Sequence, residues 1–417
     1  MPSLAPALAA PRAPRLLPWP PGVPWIERTV AVLLGLAGAL GTLFYANLVY
    51  RFLIDPSHMT DFFAFRSWSG MVHSVAHPTD LYDPARVRDY LKAVRPGFKG
   101  HYPFAYPPSF LLMIWPLGTI GPQIGAVVWM LASLVIYVGA LAEAPWRRPI
   151  ALGLLILPAT ALAASGGQDG LIFAALLGGA CRVLPRRPVL AGVLFGLAAC
   201  KPQFGVLVPL ALVAARQWRA IAAATATVLA GVVASGLAFG FAMWARWPES
   251  LFGLADFARE SARLSPLMPT VSANLRLLHL APPVVLAAQL GAGAVAACCV
   301  WAAWRRGPGR MAGAVLLVGA FLATPYAFFY DLTILDAGLL ALALDGMERG
   351  RRLSVTELAA LGAMAILPLA MNATGKGWLP ALPLSLPVLA AVFVLVVRRA
   401  LRREAAVSLD RCAAGPA

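Results

Sequence analysis

The 417 residues are 60% hydrophobic and only 12% charged, with a mean hydropathy of +0.75. A soluble globular protein, in which about a quarter of residues are charged, is thereby excluded. The net charge of +16, from 34 basic against 18 acidic residues, would suit a nucleic-acid partner, but its placement assigns it to membrane topology instead.

Residues 1–28 are rich in Pro and Ala and read as a disordered cytoplasmic extension. The apolar run at about 29–50 is long enough to remain as a membrane anchor. A polar island follows, 51–108, predicted as an outer loop carrying short amphipathic helices. Asp61 lies about ten residues past the first span, flanked by Phe62 and Phe63. A carboxylate there can take a proton from an incoming hydroxyl, or Thr60 and Asp61 can simply start a helix over 62–75. Asp80-Leu81-Tyr82-Asp83-Pro84 predicts a turn, with Asp83 capping a helix that opens on Pro84. Tyr102 to Pro108 must be extended, because residues before proline avoid the helical region. Its aromatics, Tyr106 among them, suit stacking on a sugar, while interfacial tyrosines also form belts. Residues 109–120 are apolar but too short to cross, and read as a half-helix.

Further apolar spans fall at about 123–142, 149–164, 170–184, 188–200, 203–215, 220–244, 281–304, 312–326, 330–346, 355–372 and 378–397. With the first they make an all-α polytopic protein of roughly twelve transmembrane helices, several short and rich in Gly and Pro. The membrane domain is expected over 29–397, with outer loops at 51–108 and 245–280 and a basic cytoplasmic tail over 398–417. One orientation puts Arg147-Arg148, Arg182 to Arg187, Arg216 to Arg219, Arg305 to Arg310 and Arg349 to Arg352 in short cytoplasmic connections. The short outer connections then hold only Lys201 and Lys376. No nucleic-acid role is needed for this charge.

That orientation brings Asp61, Asp80, Asp83, Gln168, Asp169, Lys201, Tyr330 and Asp331 to the outer face or just beneath it. Gly166-Gly167-Gln168-Asp169-Gly170 is a turn whose Gln168 and Asp169 can bind a polar ligand, or whose Asp169 can cap the next helix. Lys201 ends an apolar span, where a cation is costly unless it snorkels or meets an anion. Asp336, deeper in its span, is expected to face the bundle. Arg259, Arg263 and Arg276 in the second outer loop can grip a phosphate or lie on a solvated amphipathic helix. The five cysteines form no Cys-x-x-Cys or Cys/His cluster, so no metal site or cofactor is expected and the need for a divalent ion stays open. Walker A, Gly-x-Gly-x-x-Gly, His-Glu-x-x-His and Gly-x-Ser-x-Gly motifs are all missing from the sequence.

In order, Asp61-Phe62, Leu81-Tyr82-Asp83, Tyr106-Pro107-Pro108 with Pro116-Leu117, Gly167-Gln168, Lys201-Pro202 and the Pro325-to-Asp331 hairpin resemble glycosyltransferase family 87. The resemblance covers about 29–345 and implies the GT-C fold class of membrane enzymes. It implies transfer of a sugar, often mannose, from a polyprenyl-phosphate donor to a glycolipid or glycan hydroxyl, within the inner membrane and outside the cytoplasm. Asp61 then stands where such enzymes place the base. Lys201 occupies the Lys-Pro position, and its charge suggests a role on the donor phosphate. Tyr82, Tyr106, Gln168, Asp169, Tyr330, Asp331 and the three loop arginines are the expected substrate contacts. The hairpin lacks the histidine common in the mannosyltransferase branch, which leaves the sugar open. A polytopic transporter and a non-enzymatic lipid or polysaccharide export subunit remain as alternatives; the first would place its polar residues near the midplane.

Overall fold

A computed structural model describes residues 60–74, 77–98, 102–145, 147–252, 264–348 and 354–402, together with scattered helical positions between Gly35 and Tyr50. The N-terminal extension, most of the first span and the C-terminal tail beyond Arg402 lie outside the described residues. Among the described residues every regular element is helical.

The polar island folds first into α1 (Thr60–Ser74), a 3-10 turn (Pro78–Tyr82) and α2 (Pro84–Val94). Asp83 caps α2 as expected, its Oδ1 accepting from the Ala85 amide at 2.9 Å and the Arg86 amide at 3.4 Å. Asp80 pairs with Arg86 at the surface, 3.6 Å apart. The apolar stretch after Pro108 becomes α3 (Ser109–Ile114) and a 3-10 turn (Trp115–Gly118). That turn is fastened to α1: Ser69 Oγ donates to the Trp115 carbonyl at 2.6 Å and accepts from the Gly118 amide at 3.0 Å.

The bundle follows. It comprises α4 (Pro122–Leu141), α5 (Arg147–Ile156), α6 (Pro158–Gly166), α7 (Gly170–Val183), α8 (Pro188–Ala198), α9 (Pro202–Gly205), α10 (Val208–Ala214) and α11 (Trp218–Phe239). After α12 (Ala242–Phe252) and α13 (Val271–Leu277) come α14 (Pro282–Trp304), α15 (Arg310–Ala323), α16 (Leu332–Glu348), α17 (Val355–Gly375) and α18 (Ser385–Leu401). Four of these, α4, α11, α14 and α17, are long and apolar enough to cross a membrane, and α5 with α6 makes a fifth if their 62° bend counts as one span. The sequence expectation of roughly twelve spans is thus carried only in part. The 14 residues of α7 give a rod of about 21 Å, short of the hydrocarbon thickness of about 30 Å.

Burial separates two kinds of helix. On α15 nearly every residue from Met311 to Leu322 is buried, and α7 and α16 are buried along most of their length. These three pack on one another at the centre. The long helices face outward with aliphatic surface, as at Val135 (71% exposed) and Leu237 (76%). Such surface suits lipid, where an apolar exterior carries no hydration cost.

Ion pairs mark one end of the bundle. Arg310 meets Glu143 at 2.6 Å and Glu348 at 2.7 Å. Arg399 of α18 bridges Asp345 of α16 (3.1 Å) and Glu357 of α17. Glu357 is also the far half of a capping box with Ser354. All three groups are nearly buried. Arg399→Met leaves two desolvated carboxylates facing each other, so it should cost about 3 kcal/mol, the low end for a broken buried pair. A thermal melt in detergent would show this, and adding Asp345→Asn and Glu357→Gln should restore most of the loss. A single variant as stable as the parent would show that the cluster is solvated.

Candidate active site

At the opposite end, four segments distant in sequence meet around Lys201. Its Nζ donates to Asp169 Oδ1 at 2.6 Å and to Asp331 Oδ1 at 2.8 Å. All three side chains are buried, Asp169 completely. Rings surround the ammonium: Phe173 at 5.1 Å, Tyr330 at 5.6 Å, Phe204 at 5.9 Å and Tyr106 at 6.0 Å. Burial alone would lower the lysine pKa, but the two carboxylates outweigh it and raise it. Lys201 stays an ammonium.

Each partner is aimed by its own loop. Asp169 occupies the N-cap position of α7, yet its side chain makes no capping bond. Oδ1 faces Lys201, and Oδ2 accepts from the Tyr106 hydroxyl at 2.9 Å. The turn before it depends on Gly167, which holds φ +68 and closes α6 in the left-handed manner with Gln168 N donating to the Ala163 carbonyl at 2.8 Å. The Trp129 indole fixes the same turn by donating to the Gly167 carbonyl at 2.8 Å. Asp331 lies in the 324–331 hairpin, where its Oδ2 accepts from the Phe328 amide at 2.9 Å. The two hairpins touch directly: a methyl group at Gly170 would sit 2.5 Å from the Tyr330 carbonyl oxygen.

Tyr106 comes from the irregular segment 102–107; Pro108, expected to be extended, instead takes helical dihedrals (φ −55, ψ −29) at the start of α3. The segment's prolines bar helix before α3, so the carbonyls of Tyr102, Ala105 and Tyr106 are met by side chains, while those of Pro107 and Pro108 accept from the Phe110 and Leu111 amides. Trp68 Nε1 donates to the Tyr102 carbonyl (3.1 Å), Trp247 Nε1 to Ala105 (3.1 Å) and the Tyr82 hydroxyl to Tyr106 (2.9 Å). Tyr82 is therefore a layer behind the site, supporting the residue that reaches it. Phe110 stacks on Tyr106 with centroids 3.8 Å apart. Burial first, and then the charges of Asp169 and Asp331, hold the Tyr106 hydroxyl well above the ordinary tyrosine value. It remains a protonated donor.

Asp61 stands at the edge of this assembly, half-buried in the first turn of α1. Its Oδ2 lies over the α6 terminus, 3.1 Å from where a Cβ on Gly166 would project. Tyr326 and Tyr330 feel its charge, and burial together with the nearby carboxylates raises both phenols. Gln168 is buried in the turn. Arg276, half-buried, lies in the last turn of α13, one turn beyond Ser272, whose hydroxyl donates to the Pro325 carbonyl at 3.2 Å. Arg259 and Arg263 fall outside the described residues.

The sequence model of glycosyltransferase family 87 matches residues 104–329, more than half of the chain. The chain belongs to glycosyltransferase family 87. Searches of curated proteins and of solved structures find no match. Family 87 membership makes this a membrane glycosyltransferase with a sugar donor and an acceptor as substrates. The family match takes in Tyr106, Gln168, Asp169, Lys201, Arg276 and Tyr326; Asp331 stands two residues past its end, and Asp61 lies well before its start at residue 104.

Sequence reasoning gathered Asp61, Asp169, Lys201 and Asp331 but missed Trp68, Trp129, Phe173 and Trp247. For the three tryptophans the available signal was the indole itself, which within or beside an apolar run must find an acceptor for its N–H; Phe173 carried none. Gly167→Ala tests the packing that sets Asp61. The new methyl would meet Phe62 Cβ at 2.5 Å, on a residue with φ +68, and positive φ alone costs an alanine about 1–2 kcal/mol. Because Phe62 adjoins Asp61, transfer activity should fall alongside a lowered melting temperature. Unchanged activity would mean that α1 has room to move without affecting the reaction.

Proposed function

We propose that this chain moves a sugar from a polyprenyl-phosphate donor to an acceptor hydroxyl on the non-cytoplasmic face of the cell membrane, with inversion at the anomeric carbon. One observation carries the assignment of the base. Of three carboxylates at the site, Asp169 and Asp331 are buried against Lys201, whereas Asp61 is half-buried at the rim. Asp61 takes the proton of the acceptor hydroxyl as its oxygen forms the new bond to the anomeric carbon. The bond from that carbon to the phosphate oxygen breaks, and the lipid phosphate leaves with the electron pair. A single carboxylate suffices, since the phosphate departs without protonation.

We infer that Lys201 does not hold the donor phosphate. Its charge already faces two carboxylates, and four rings close it in. We assign it to positioning: it fastens the hairpins at 166–170 and 324–331 and, through Asp169, the Tyr106 segment. Arg276 and the loop arginines Arg259 and Arg263 are left to meet the donor phosphate, and Tyr106, Gln168, Tyr326 and Tyr330 to line the sugar subsite.

Helix direction supports the orientation. From α4 onward the chain alternates between the two ends of the bundle. Lys201, Asp169 and Asp331 share one end, while Arg182, Arg310 and Arg399 share the other. The short basic connections thus lie opposite the site, as the positive-inside rule requires of an outward-facing one. This alternation also supports the GT-C class with twelve passes. Labelled polyprenyl-phosphate sugars, offered with acceptor lipids to the purified chain in lipid nanodiscs, test the reading. Donor consumption with a product of inverted anomeric configuration is expected. An intact donor pool, or sealed vesicles that move the donor across without cleaving it, would overturn the reading in favour of transport.

A further inference from the structure

The end of the bundle opposite the site holds a cavity of about 450 Å³ between α7, α15 and α16. α7 begins beside Asp169, meets the cavity wall at Gly178 and carries Arg182 13 residues on, so the arginine end lies about 20 Å from Asp169 along that helix. Four arginines line the cavity, Arg182, Arg186, Arg187 and Arg310, against one carboxylate, Glu143. Arg310 is already matched by Glu143 and Glu348. Arg182, Arg186 and Arg187 are exposed, and none makes an ion pair with a carboxylate among the described residues. The wall beneath them is aliphatic: Leu317, Leu340 and Leu344, with Gly178, Ala314 and Ala341 leaving the space.

A solvated basic face would not need that wall, and an apolar cavity would not need three unmatched guanidinium groups. Together they describe a receptor for a molecule with an anionic head and a hydrocarbon body. Guanidinium groups match phosphate oxygens two at a time, and basic pockets between membrane helices suit phosphate headgroups. We propose that this cavity binds the phosphate headgroup and adjoining chain carbons of an anionic membrane lipid. The bound lipid would bridge the ends of α7, α15 and α16, three helices that also reach the Lys201 cluster.

The test uses the purified full chain in phosphatidylcholine nanodiscs, with thermal melting and native mass spectrometry as readouts of binding. Phosphatidylglycerol should raise the melting temperature and appear as a retained adduct. Inorganic phosphate at the same concentration, and added phosphatidylcholine, should do neither. Arg182→Gln with Arg186→Gln should weaken the effect by about tenfold, because two solvent-screened charge pairs together are worth about one decade. Arg216→Gln with Arg219→Gln, an equal charge change on exposed residues of another connection, should leave it intact. Ala341→Phe, which fills the space while keeping every arginine, should also abolish retention. Equal stabilisation by inorganic phosphate would overturn the lipid assignment. Equal losses from both arginine pairs would reduce the effect to general surface charge, and a parental response from the Arg182/Arg186 variant would remove the site.

Discussion

Asp61→Asn should lower sugar transfer by about 10²–10⁴-fold, the usual worth of a general base, while the protein stays folded and still binds donor. Asparagine keeps the size of the side chain and caps a helix as well as aspartate does. A structural role in the first turn of α1 therefore predicts a variant of nearly parental activity and stability. The distinction is read from single-turnover rates with donor bound, alongside a melting curve. An Asp61→Asn protein that transfers sugar at the parental rate would strip Asp61 of its assigned role and turn attention to the aromatic hairpin at 324–331.

Lys201→Met should be equally damaging by another route. Removing the ammonium leaves Asp169 and Asp331 facing each other with both side chains at most 4% exposed. Loss of one partner from a buried ion pair costs about 3–5 kcal/mol, because the remaining charge is desolvated without compensation. Lower stability is expected together with lost activity, as two hairpins and the Tyr106 segment separate. Adding Asp169→Asn and Asp331→Asn should recover stability, since a neutral cluster of similar volume has no charge to compensate. A role on the donor phosphate predicts something else: a folded single variant of unchanged melting temperature, with a raised donor KM and kcat little affected. That result would overturn the positioning assignment.

Much of this site was legible in the sequence, and the reason is local. A polar residue at the end of an apolar run stands out against its surroundings, so Asp169, Lys201 and Asp331 could each be picked out, whereas Asp61, inside a polar island, stood out by its place in the first loop and its flanking Phe62 and Phe63. Asp336 was likewise expected to face the bundle, and it is 5% exposed. Which of them pair could not be read. Lys201 meets carboxylates 32 and 130 residues away in the chain, and such contacts are decided by how helices pack. For the same reason a lysine suited to a phosphate proved to be enclosed by acids and rings. At the other end, Arg399 was legible only as a topology charge, though it also ties three helices together. Most helix bounds were legible to within a few residues, and the Gly- and Pro-rich breaks were expected in general, but hydropathy alone did not show that Pro158 would bend the 149–164 run into α5 and α6.

The carbonyls of Tyr102, Tyr106 and Ala105 find their donors on Trp68, Tyr82 and Trp247, groups belonging to α1, to the turn after it and to a helix some 140 positions later in the chain. A wall built this way has no independent existence. Strands and helices can flicker into being by themselves, but this one has nothing to bind until its three donors have arrived. A partly assembled chain would therefore present no aromatic surface to a sugar, and the capacity to recognise substrate would emerge only with the finished molecule.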